Sequence, residues 1–558
     1  MGVVGKSRER CVVASALWAA LGDALGWITE LGDEETIRRR TGRKRVSSPV
    51  SWKRKIGGRM GPVVLLPAGA YSDDTQLRLA VSRAIRGDGR FDVEAFAKIE
   101  LPVWPSYSLG AGRGTSSAAS NLSRNNVNWF SNFFGSKNES GYFQAGGNGA
   151  AMRIQPHVWK HDSSNTEKYA VDVLKDAIVT HGHPQGFGGA LFHAYCLSFA
   201  LDEGQIPSPK DWRYFLEKLN YIPAIANDDR QLKTFWLGPW QEATGKELKI
   251  AVAEQVAEVG RRLDSLPDLD GALPRDFEFI VETFGGFNST TRGAGLYSAI
   301  NAAALCWCCR DLPIEEALIV AANTIGSDTD TIATMAGAIL GAVRPEELPT
   351  WELQDRDYVE KEAIRLAQIG AGKLCPSFNY PDLQAWKAPA NQSDAVAKWN
   401  SSFVVLGLGK AEPFGEIWTA GDAEWQWLKL EFGQTVLAKR RARARQATVN
   451  DLPQERPVRQ KAYDTNQPEL FVGKDIYNRE QEGDRSGGQA RMSARSSEQP
   501  SLNLDDLTNW VISRNFTPEV VGKAFLQVAE SRNPIENSIA LAAILAKAIK
   551  SRRDRGRT

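Results

Sequence analysis

Two short acidic strings, far apart in the chain, constrain its fold more than any other feature of the sequence. Residues 72–75 read SDDT and residues 327–331 read SDTDT. Each string precedes an apolar segment rich in small residues, and that pattern predicts a buried helix. A buried carboxylate needs a partner because the loss of its hydration is costly. Bringing both strings together around hard divalent cations would supply such partners.

The spacing within each string limits how it can bind a cation. Asp73 and Asp74 are adjacent, so at a helix start they diverge by about 100° and cannot bind one ion from the same face. Asp328 and Asp330 are two residues apart and open a predicted helix. Two ions, or one ion with a carboxylate that supports a ligand, fit this arrangement. For either string alone, an ordinary helix N-cap is the competing interpretation.

The composition excludes several classes of protein. The chain has 558 residues, enough for one large core and at least one smaller unit. Lys and Arg total 68 against 67 Asp and Glu, which argues against a globally basic nucleic-acid binder. The six cysteines lack metal-site spacing, and Cys306, Cys308 and Cys309 lie in an apolar segment typical of a core. The sequence shows no signal-peptide pattern and no membrane-length apolar run, which predicts a soluble cytoplasmic protein without a membrane partner.

Hydrophobic periodicity divides the chain into a helical part, a strand-rich part and a second helical part. Apolar residues recur at helical spacing over residues 8–375, except over residues 36–70, which predict a long loop and a candidate lid. Residues 399–440 alternate in polarity and predict short strands. The predicted domains are 1–398 (mostly helical), 399–445 (strand-rich, ending in a basic run), 446–500 (a flexible linker) and 501–558 (two or three helices).

The basic run from Lys439 to Arg445 is a local candidate for a nucleic-acid contact. A run of this length is more often the solvated face of a helix, and we prefer that interpretation. The helices predicted after residue 501 are a candidate docking unit for a partner.

Three further motifs carry polar groups that an apolar helical domain has to accommodate. Residues 146–153, GGNGAAMR, form a glycine-rich loop ahead of an apolar segment, and such loops let backbone amides approach a phosphate. Residues 180–184, THGHP, contain two histidines, for which a proline-stopped helix end with satisfied imidazoles is an equal alternative. Asp23 lies within an apolar helix pattern, which predicts that it is hydrogen-bonded and either structural or in support of a ligand.

Taken in order, the motifs resemble those of the ADP-ribosylglycohydrolase family. The matching motifs are GDALG (22–26) with Glu30, YSDDT (71–75), GGNGAAMR (146–153), THGHP (180–184) and GSDTDTIATMAGAILGA (326–342). The resemblance covers residues 8–375 and implies a compact all-α domain with two Mg²⁺ or Mn²⁺ ions at the base of a cleft that holds ADP-ribose. The fold class expected for the whole chain is all-α, with a small strand-rich appendage and a C-terminal helical module after a flexible linker.

The resemblance also implies roles for individual residues. The implied metal ligands are Ser72, Asp73, Asp74, Asp328, Asp330 and Thr331. The implied catalytic carboxylates are Glu30, Asp73, Asp74 and Asp328. The implied ligand-binding residues are Gly147, Asn148 and Gly149 for the diphosphate, His181 beside the ADP-ribose, and Tyr142 or Phe143 for adenine, the last two by proximity only. Ser72 stands where most members have Thr, but it keeps the hydroxyl that a metal would need.

The expected function is metal-dependent hydrolysis that removes ADP-ribose from a modified acceptor and so reverses ADP-ribosylation. Arginine on a protein is the acceptor expected first, and nucleic acid is a second candidate. The enzyme would be an ADP-ribosylglycohydrolase acting on an N- or O-glycosidic bond. The alternative is a non-catalytic module that binds ADP-ribose or neutralises a toxin by occupying its site, but a full set of costly carboxylates favours catalysis. The Trp- and Pro-rich insertion at residues 200–280 leaves the substrate open.

Overall fold

The structure is a computed structural model that describes residues 7–58, 60–135, 141–161, 168–454, 504–529 and 534–555. Its helices are α1 (Arg8–Gly26), α2 (Glu34–Thr41), α3 (Asp73–Ala84), α4 (Val93–Ala95), α5 (Leu101–Val103), α6 (Arg113–Leu122), α7 (Gln155–Trp159), α8 (Tyr169–Ile178), α9 (Pro184–Glu203), α10 (Pro209–Lys218), α11 (Ile222–Asp228), α12 (Gly238–Thr244), α13 (Leu248–Asp264), α14 (Phe277–Thr283), α15 (Gly295–Cys308), α16 (Ile314–Ala322), α17 (Thr329–Val343), α18 (Arg356–Gly370), α19 (Leu504–Ser513), α20 (Pro518–Ala529) and α21 (Pro534–Arg555). Its strands are β1 (Trp52–Lys55), β2 (Val63–Leu66), β3 (Val396–Trp399), β4 (Ser402–Val405), β5 (Gly409–Ala420), β6 (Ala423–Leu430) and β7 (Thr435–Arg441). The expected fold class is confirmed: a mostly helical chain with a small strand-rich region and further helices near its C-terminus.

Helices α1 and α17 form the central seam of the helical region, and glycines make their close approach possible. A Cβ added at Gly22 would lie 2.2 Å from the carbonyl oxygen of Ala333, and one added at Gly26 would lie 2.5 Å from Cα of Asp330. Both distances are too short for any side chain, so the two backbones touch directly. Because Gly26 sits opposite Asp330, this contact brings the end of α1 against the second acidic string.

The expectation of a long loop over residues 36–70 is wrong, because this segment contains the end of α2 and an antiparallel hairpin. Strands β1 and β2 pair with Trp52 opposite Leu66 and Lys55 opposite Val63. The inward positions of β1 are held by Trp52, which is buried, and by the half-buried Arg54. The lysines at the alternate positions face outward, so Trp52 is the only large apolar residue of β1. This polar composition hid the strand from a reading based on apolar periodicity.

The insertion at residues 200–280 folds into helices α10 to α14 and buries its tryptophans. The indole N–H of Trp236 donates to the hydroxyl of Tyr142 at 2.9 Å. The indole N–H of Trp240 donates to the carbonyl oxygen of Gly182 at 2.7 Å. The insertion therefore packs against Tyr142, just before the glycine-rich loop, and against Gly182 within the histidine motif.

Strands β3 to β7 form one antiparallel sheet in chain order. The sheet shares the core of the helical region. Arg83 of α3 donates to the side-chain oxygen of Gln434 at 2.6 Å, and the amide of Thr435 donates to Asp355 at 2.7 Å. The same Asp355 carboxylate accepts a hydrogen bond from Tyr71, the residue before the first acidic string, at 2.7 Å. Strand β3 begins at residue 396, shortly before the predicted boundary between residues 398 and 399. The predicted domain boundaries remain a proposal.

The basic run forms part of a strand, so its assignment to a solvated helix face is wrong. Arg440 lies in β7, is buried and pairs with Glu424 at 2.5 Å. Arg441 pairs with Asp394 at 2.5 Å. Beyond the strand, Arg445 pairs with a further carboxylate, that of Asp451, at 3.0 Å. Much of the positive charge is thus neutralised within the sheet, and a nucleic-acid contact there stays an untested prediction.

The cysteines of α15 are core residues, as predicted. Cys306, Cys308 and Cys309 are buried and have free thiols. Burial, reinforced by the charge of Asp276, raises the pKa of Cys308 to about 12, which disfavours the thiolate that a metal would require. Among the described residues, no cysteine belongs to a cluster that could hold a metal ion.

Helices α19 to α21 form the C-terminal helical module, within a unit that begins at residue 460. They bury their own small core of apolar side chains, namely Leu507, Val511, Ala524, Val528, Leu541 and Leu545. Most of the predicted linker, residues 446–500, lies outside the described residues. No helix in the described part of the chain combines the length and the apolar character needed to cross a membrane.

Candidate active site

Three carboxylates from two distant parts of the chain meet in the helical region. Glu30, Asp328 and Asp330 each offer one oxygen atom, and these atoms all lie within 4.8 Å of one another. Asp328 precedes α17 and Asp330 lies in its first turn, whereas Glu30 follows the end of α1. The glycine seam between α1 and α17 therefore produces the cluster, because it brings the end of one helix against the start of the other.

The first acidic string faces the same place from the start of α3. Asp73 and Asp74 lie in the first turn of α3 and are buried. Burial, followed by the charges of Glu30 and Asp23, raises the pKa of Asp73 well above its usual range. Burial and the charges of Glu30, Asp74 and Asp328 do the same to Asp330. The two strings are thus close enough to repel each other electrostatically.

An unsatisfied carboxylate oxygen makes a bound cation fit this cluster. Within the described residues, Oδ2 of Asp74 is buried and has no hydrogen-bond partner. Such atoms are rare in folded proteins unless water or an ion completes them. The surrounding donors are carboxylates and the buried hydroxyls of Ser72 and Thr331, an all-oxygen set suited to Mg²⁺ or Mn²⁺. Ser72 is also an N-cap, because its hydroxyl accepts from the amide of Asp74 at 3.2 Å, so the capping interpretation is confirmed for this string and its metal binding stays a prediction.

The buried Asp23 and the half-buried Asn148 fix the acidic strings through hydrogen bonds. Asp23 accepts hydrogen bonds from the amides of Ser72 and Thr75, both at 2.9 Å, and this is the bonded aspartate that the sequence predicts. The side-chain amide of Asn148 donates to Asp328 at 2.7 Å and to the hydroxyl of Ser298 at 3.0 Å. Asn148, expected at the diphosphate, therefore also orients a carboxylate of the cluster.

Sequence reasoning missed Arg54, which the hairpin delivers to the cluster. Its guanidinium donates twice to one oxygen of Glu30, at 3.2 and 3.3 Å. The guanidinium also lies over the ring of Trp27, 4.9 Å from the ring centroid. Arg40 of α2 donates to the backbone oxygen of Glu30 at 3.1 Å. The signal for Arg54 was its position two residues after Trp52, which places both on one face of a strand.

The glycine-rich loop lies beside His181. The amide of Asn148 donates to the carbonyl oxygen of Gly293 at 2.9 Å, which holds the loop in place. A Cβ added at Gly149 would lie 3.4 Å from Nε2 of His181, and one added at Gly147 would lie 3.7 Å from it. The backbone of the loop therefore lies close to the Nε2 edge of this imidazole. The predicted loop and histidine residues come together, as a site for a diphosphate would require.

The two aromatic candidates for adenine have different environments. Tyr142 is buried, and its hydroxyl donates to the carbonyl oxygen of Ile178 at 2.7 Å, so it has no ring face for a ligand. Phe143 is only half-buried and remains the candidate for stacking. His183 caps α9, since its Nδ1 accepts from the amide of Gln185 at 3.1 Å. The satisfied helix-end interpretation therefore describes His183 rather than His181.

The raised pKa values of Asp73, Asp74 and Asp330 predict how metal and pH act together on stability. Without metal, the folded chain keeps protons that the unfolded chain has already lost, so stability falls as pH rises above the ordinary carboxyl pKa. Each retained proton contributes about 1.4 kcal/mol per pH unit. Mg²⁺ bound to these carboxylates would displace the protons, so we expect its stabilising effect to grow with pH. We expect urea unfolding in EDTA and in Mg²⁺ to diverge between about pH 5 and about pH 8; parallel curves would contradict the electrostatic picture.

Comparison with known proteins places these features in a family. The family model described as ADP-ribosylglycohydrolase matches residues 6–374. An uncharacterized protein of Archaeoglobus fulgidus is 28% identical over 361 residues, 63% of this chain and 94% of the relative. ADP-ribosylhydrolase ARH3 of Danio rerio is 26% identical over 299 residues, 49% of this chain and 69% of the relative. ADP-ribosylhydrolase ARH3 of Bos taurus is 27% identical over 316 residues, 53% of this chain and 76% of the relative.

A solved chain described as "ADP-ribosylglycohydrolase-related protein complex" covers 66% of this chain and 100% of its own length, at a TM-score of 0.40 and 19% identity. The family match ends at residue 374, so the sheet of β3 to β7 and helices α19 to α21 lie beyond it. Both acidic strings, the glycine-rich loop and the histidine motif lie within it. Because the match spans more than half of the chain and contains every motif of the site, this chain belongs to the ADP-ribosylglycohydrolase family.

Proposed function

We propose that this chain is a metal-dependent hydrolase that releases ADP-ribose from a modified acceptor. The family match and the ARH3 relatives support hydrolysis of a glycosidic bond to ADP-ribose. The acceptor proposed first is a protein arginine; a hydroxyl side chain or a nucleic acid is the next candidate. The meeting of Glu30, Asp328 and Asp330 within 4.8 Å carries the proposal, because a non-catalytic binding module has no use for such a costly cluster.

The proposed cation ligands are Ser72, Asp73, Asp74, Asp328, Asp330 and Thr331, and they would hold two Mg²⁺ or Mn²⁺ ions. Bound divalent ions of this kind polarise substrate oxygens and lower the pKa of water. The protein's own contribution is orientation. Asp23 fixes the start of α3 through two amides, and Asn148 fixes the carboxylate of Asp328.

The reaction joins the oxygen of water to C1″ of the distal ribose and breaks the bond from C1″ to the acceptor atom. Water supplies the new hydroxyl of ADP-ribose and the proton of the released acceptor. Glu30, Asp73, Asp74 and Asp328 are the proposed carboxylates that orient the water and receive its proton. Carboxylates that flank an anomeric centre follow the same logic in glycosidases. Arg54 holds Glu30 by two hydrogen bonds, which direct this carboxylate at the cluster and partly offset the rise in its pKa that burial causes.

The experiment is direct detection of free ADP-ribose released by the full chain. Three substrates are compared: a protein modified on arginine, a peptide modified on a hydroxyl, and an ADP-ribosylated nucleic-acid end. Each is incubated with Mg²⁺, with Mn²⁺ and with EDTA, and metal is then restored to the EDTA sample. We expect release from at least one substrate with metal, loss of release in EDTA, and recovery on metal addition. Substrate incubated with metal alone controls for spontaneous cleavage.

The outcomes separate the proposal from its main alternative. Release that survives EDTA, with no metal retained by the protein, would refute metal dependence but not hydrolysis. ADP-ribose binding without release from any of the three substrates would favour the non-catalytic binding or toxin-neutralising module. The ranking of the substrates then decides between an N-glycosidic and an O-glycosidic bond.

A further inference from the structure

A fully buried ion pair lies behind the glycine-rich loop. The carboxylate of Asp176 accepts from Nε of Arg153 at 2.8 Å, and its second oxygen lies 2.9 Å from Nε2 of His157. Nη2 of Arg153 also donates to the backbone oxygen of Asp176 at 2.8 Å. All three side chains are completely buried, so Arg153 is held by Asp176 of α8, which is held in turn by His157 of α7.

The same guanidinium reaches forward to two groups that border the proposed ligand site. Nη1 of Arg153 donates to the carbonyl oxygen of Gly149 at 2.9 Å. Nη2 donates to the hydroxyl oxygen of Thr180 at 3.0 Å. That hydroxyl oxygen lies 2.7 Å from Nδ1 of His181. One rigid cation therefore connects the glycine-rich loop, a threonine hydroxyl and the imidazole.

The hydrogen-bonding capacity of the hydroxyl decides which nitrogen of His181 carries the proton. Arginine can only donate, so the oxygen of Thr180 acts as its acceptor. The hydroxyl proton then has two possible acceptors: Nδ1 of His181 at 2.7 Å and the carbonyl oxygen of Ala177 at 3.4 Å. The first distance is typical of a good hydrogen bond and the second is long. The adjacent cation also disfavours a second donor, Nδ1–H, aimed at the same oxygen.

The imidazole of His181 is neutral in this environment. Burial, followed by the charge of Arg153, lowers the pKa of His181 to about 3. A neutral imidazole has one ring proton, and if Nδ1 accepts from Thr180 the proton is on Nε2.

The Nε2 edge of His181 faces the backbone of three glycines. A Cβ added at Gly114, near the start of α6, would lie 3.7 Å from Nε2, as would one added at Gly147. A Cβ at Gly149 would lie 3.4 Å from it and 2.6 Å from Oγ1 of Thr115, so a side chain would not fit between the loop and the imidazole. His181 is only 2% exposed, so its Nε2 edge is directed toward this backbone rather than toward bulk solvent. The amides in the first turn of a helix such as α6 have no intrahelical partners and can donate to an anion.

We infer that Thr180, held by Arg153, is a positioning residue that locks His181 as the Nε2–H tautomer, so that a neutral imidazole donates a hydrogen bond to the diphosphate of ADP-ribose. This inference rests on the proposed function for the identity of the ligand. The tautomer lock itself is a property of the free protein. A neutral donor suits this position because its hydrogen bond does not weaken as pH rises from acidic to alkaline conditions.

The test compares Thr180→Val, which removes the hydroxyl at similar volume, with Thr180→Ser, which keeps it. Arg153 stays partnered in both variants, because Nη2 retains the backbone oxygen of Asp176. The first readout is the pair of ring ¹⁵N chemical shifts of His181 in the metal-free full chain, assigned with His181→Asn. The second readout is the affinity for ADP-ribose, ADP and adenosine. Thermal unfolding midpoints verify that each variant is folded.

We expect wild type and Thr180→Ser to show the Nε2–H pattern and Thr180→Val to lose it. We expect Thr180→Val to weaken ADP-ribose and ADP binding by about tenfold while adenosine binding is unchanged. A wild-type Nδ1–H pattern, or Thr180→Ser behaving as Thr180→Val, would overturn the lock. Equal losses for adenosine and ADP would show that the effect is a general loosening of the cleft. If wild type binds no ADP-ribose, the proposed function fails, and the shifts still decide the tautomer independently.

Discussion

Asp330→Asn is expected to abolish ADP-ribose release while leaving a cooperative fold. The substitution keeps the shape of the side chain and the oxygen that accepts from the amide of Thr331 at 2.8 Å. It removes one negative charge from the cluster with Glu30 and Asp328, and with it a proposed cation ligand. We expect turnover to fall by about a hundredfold or more, the scale of losing one preorganised electrostatic group.

The same substitution should change stability in opposite directions with and without metal. In EDTA, the neutral amide replaces a carboxyl group whose pKa is raised by burial and by the charges of Glu30, Asp74 and Asp328, so the variant should be more stable by about 1 kcal/mol. In Mg²⁺, wild type should gain stability through binding, and the variant should gain much less. A general packing defect would lower stability under both conditions, so it cannot make the variant more stable than wild type in EDTA and less stable in Mg²⁺.

The matched control is Asp451→Asn, which alters a buried aspartate of the strand-rich region paired with Arg445. This control should lose stability equally in EDTA and in Mg²⁺ and should keep ADP-ribose release. Urea unfolding measures the stability of both variants in EDTA and in Mg²⁺, and the release assay measures their turnover. Full activity of Asp330→Asn, or an undiminished response to Mg²⁺, would refute the assignment of Asp330 as a ligand.

Gly26→Ala is expected to cost both stability and activity, although it adds only a methyl group. The new Cβ would lie 2.5 Å from Cα of Asp330 and 2.5 Å from the carbonyl oxygen of Thr329. Both atoms belong to backbone, so a side-chain rotation cannot relieve the clash. Helices α1 and α17 must separate, and we expect a loss of about 3 kcal/mol, at the upper end of the usual overpacking cost.

The activity loss follows because the atoms displaced belong to the acidic cluster. Moving Asp330 away from Glu30 weakens the site for the cation, so more Mg²⁺ should be needed for half-maximal release. The control is Gly238→Ala at the start of α12, where an added Cβ meets nothing within 4 Å. That variant should keep wild-type activity and lose no stability. If Gly26→Ala matched it in both respects, the direct backbone contact between α1 and α17 would be wrong.

The chemistry of the site was accessible from sequence because it rests on residue types that have few alternative uses. Four aspartates in apolar surroundings require partners, whichever fold surrounds them. The predicted helices at Asp73 and Asp328 also depend on local signals, since Ser-Asp and Asp-Thr pairs mark helix starts. The order of the motifs then indicated the resemblance to a family. The roles assigned to these residues remain proposals.

The environment of Tyr142 could not be predicted from the neighbouring sequence. Tyr142 stands next to the glycine-rich loop in sequence, which made it a candidate for adenine. Its burial depends on Trp236, almost a hundred residues later, whose indole fills the space beside its hydroxyl. Helical periodicity within the insertion predicted apolar helices but not the surface against which they would pack.

The sequence by itself determined the helical class of the domain, its two acidic strings and the strand-rich region, because periodicity and residue chemistry are local properties. The tertiary structure alone decided that Arg54 would meet Glu30, that Asn148 would orient Asp328, and that the basic run would be paired within a sheet. These contacts join residues that are far apart in the chain. Their geometry follows from how closely α1 and α17 approach and from which face of the hairpin turns inward, and both depend on the packing of the whole core.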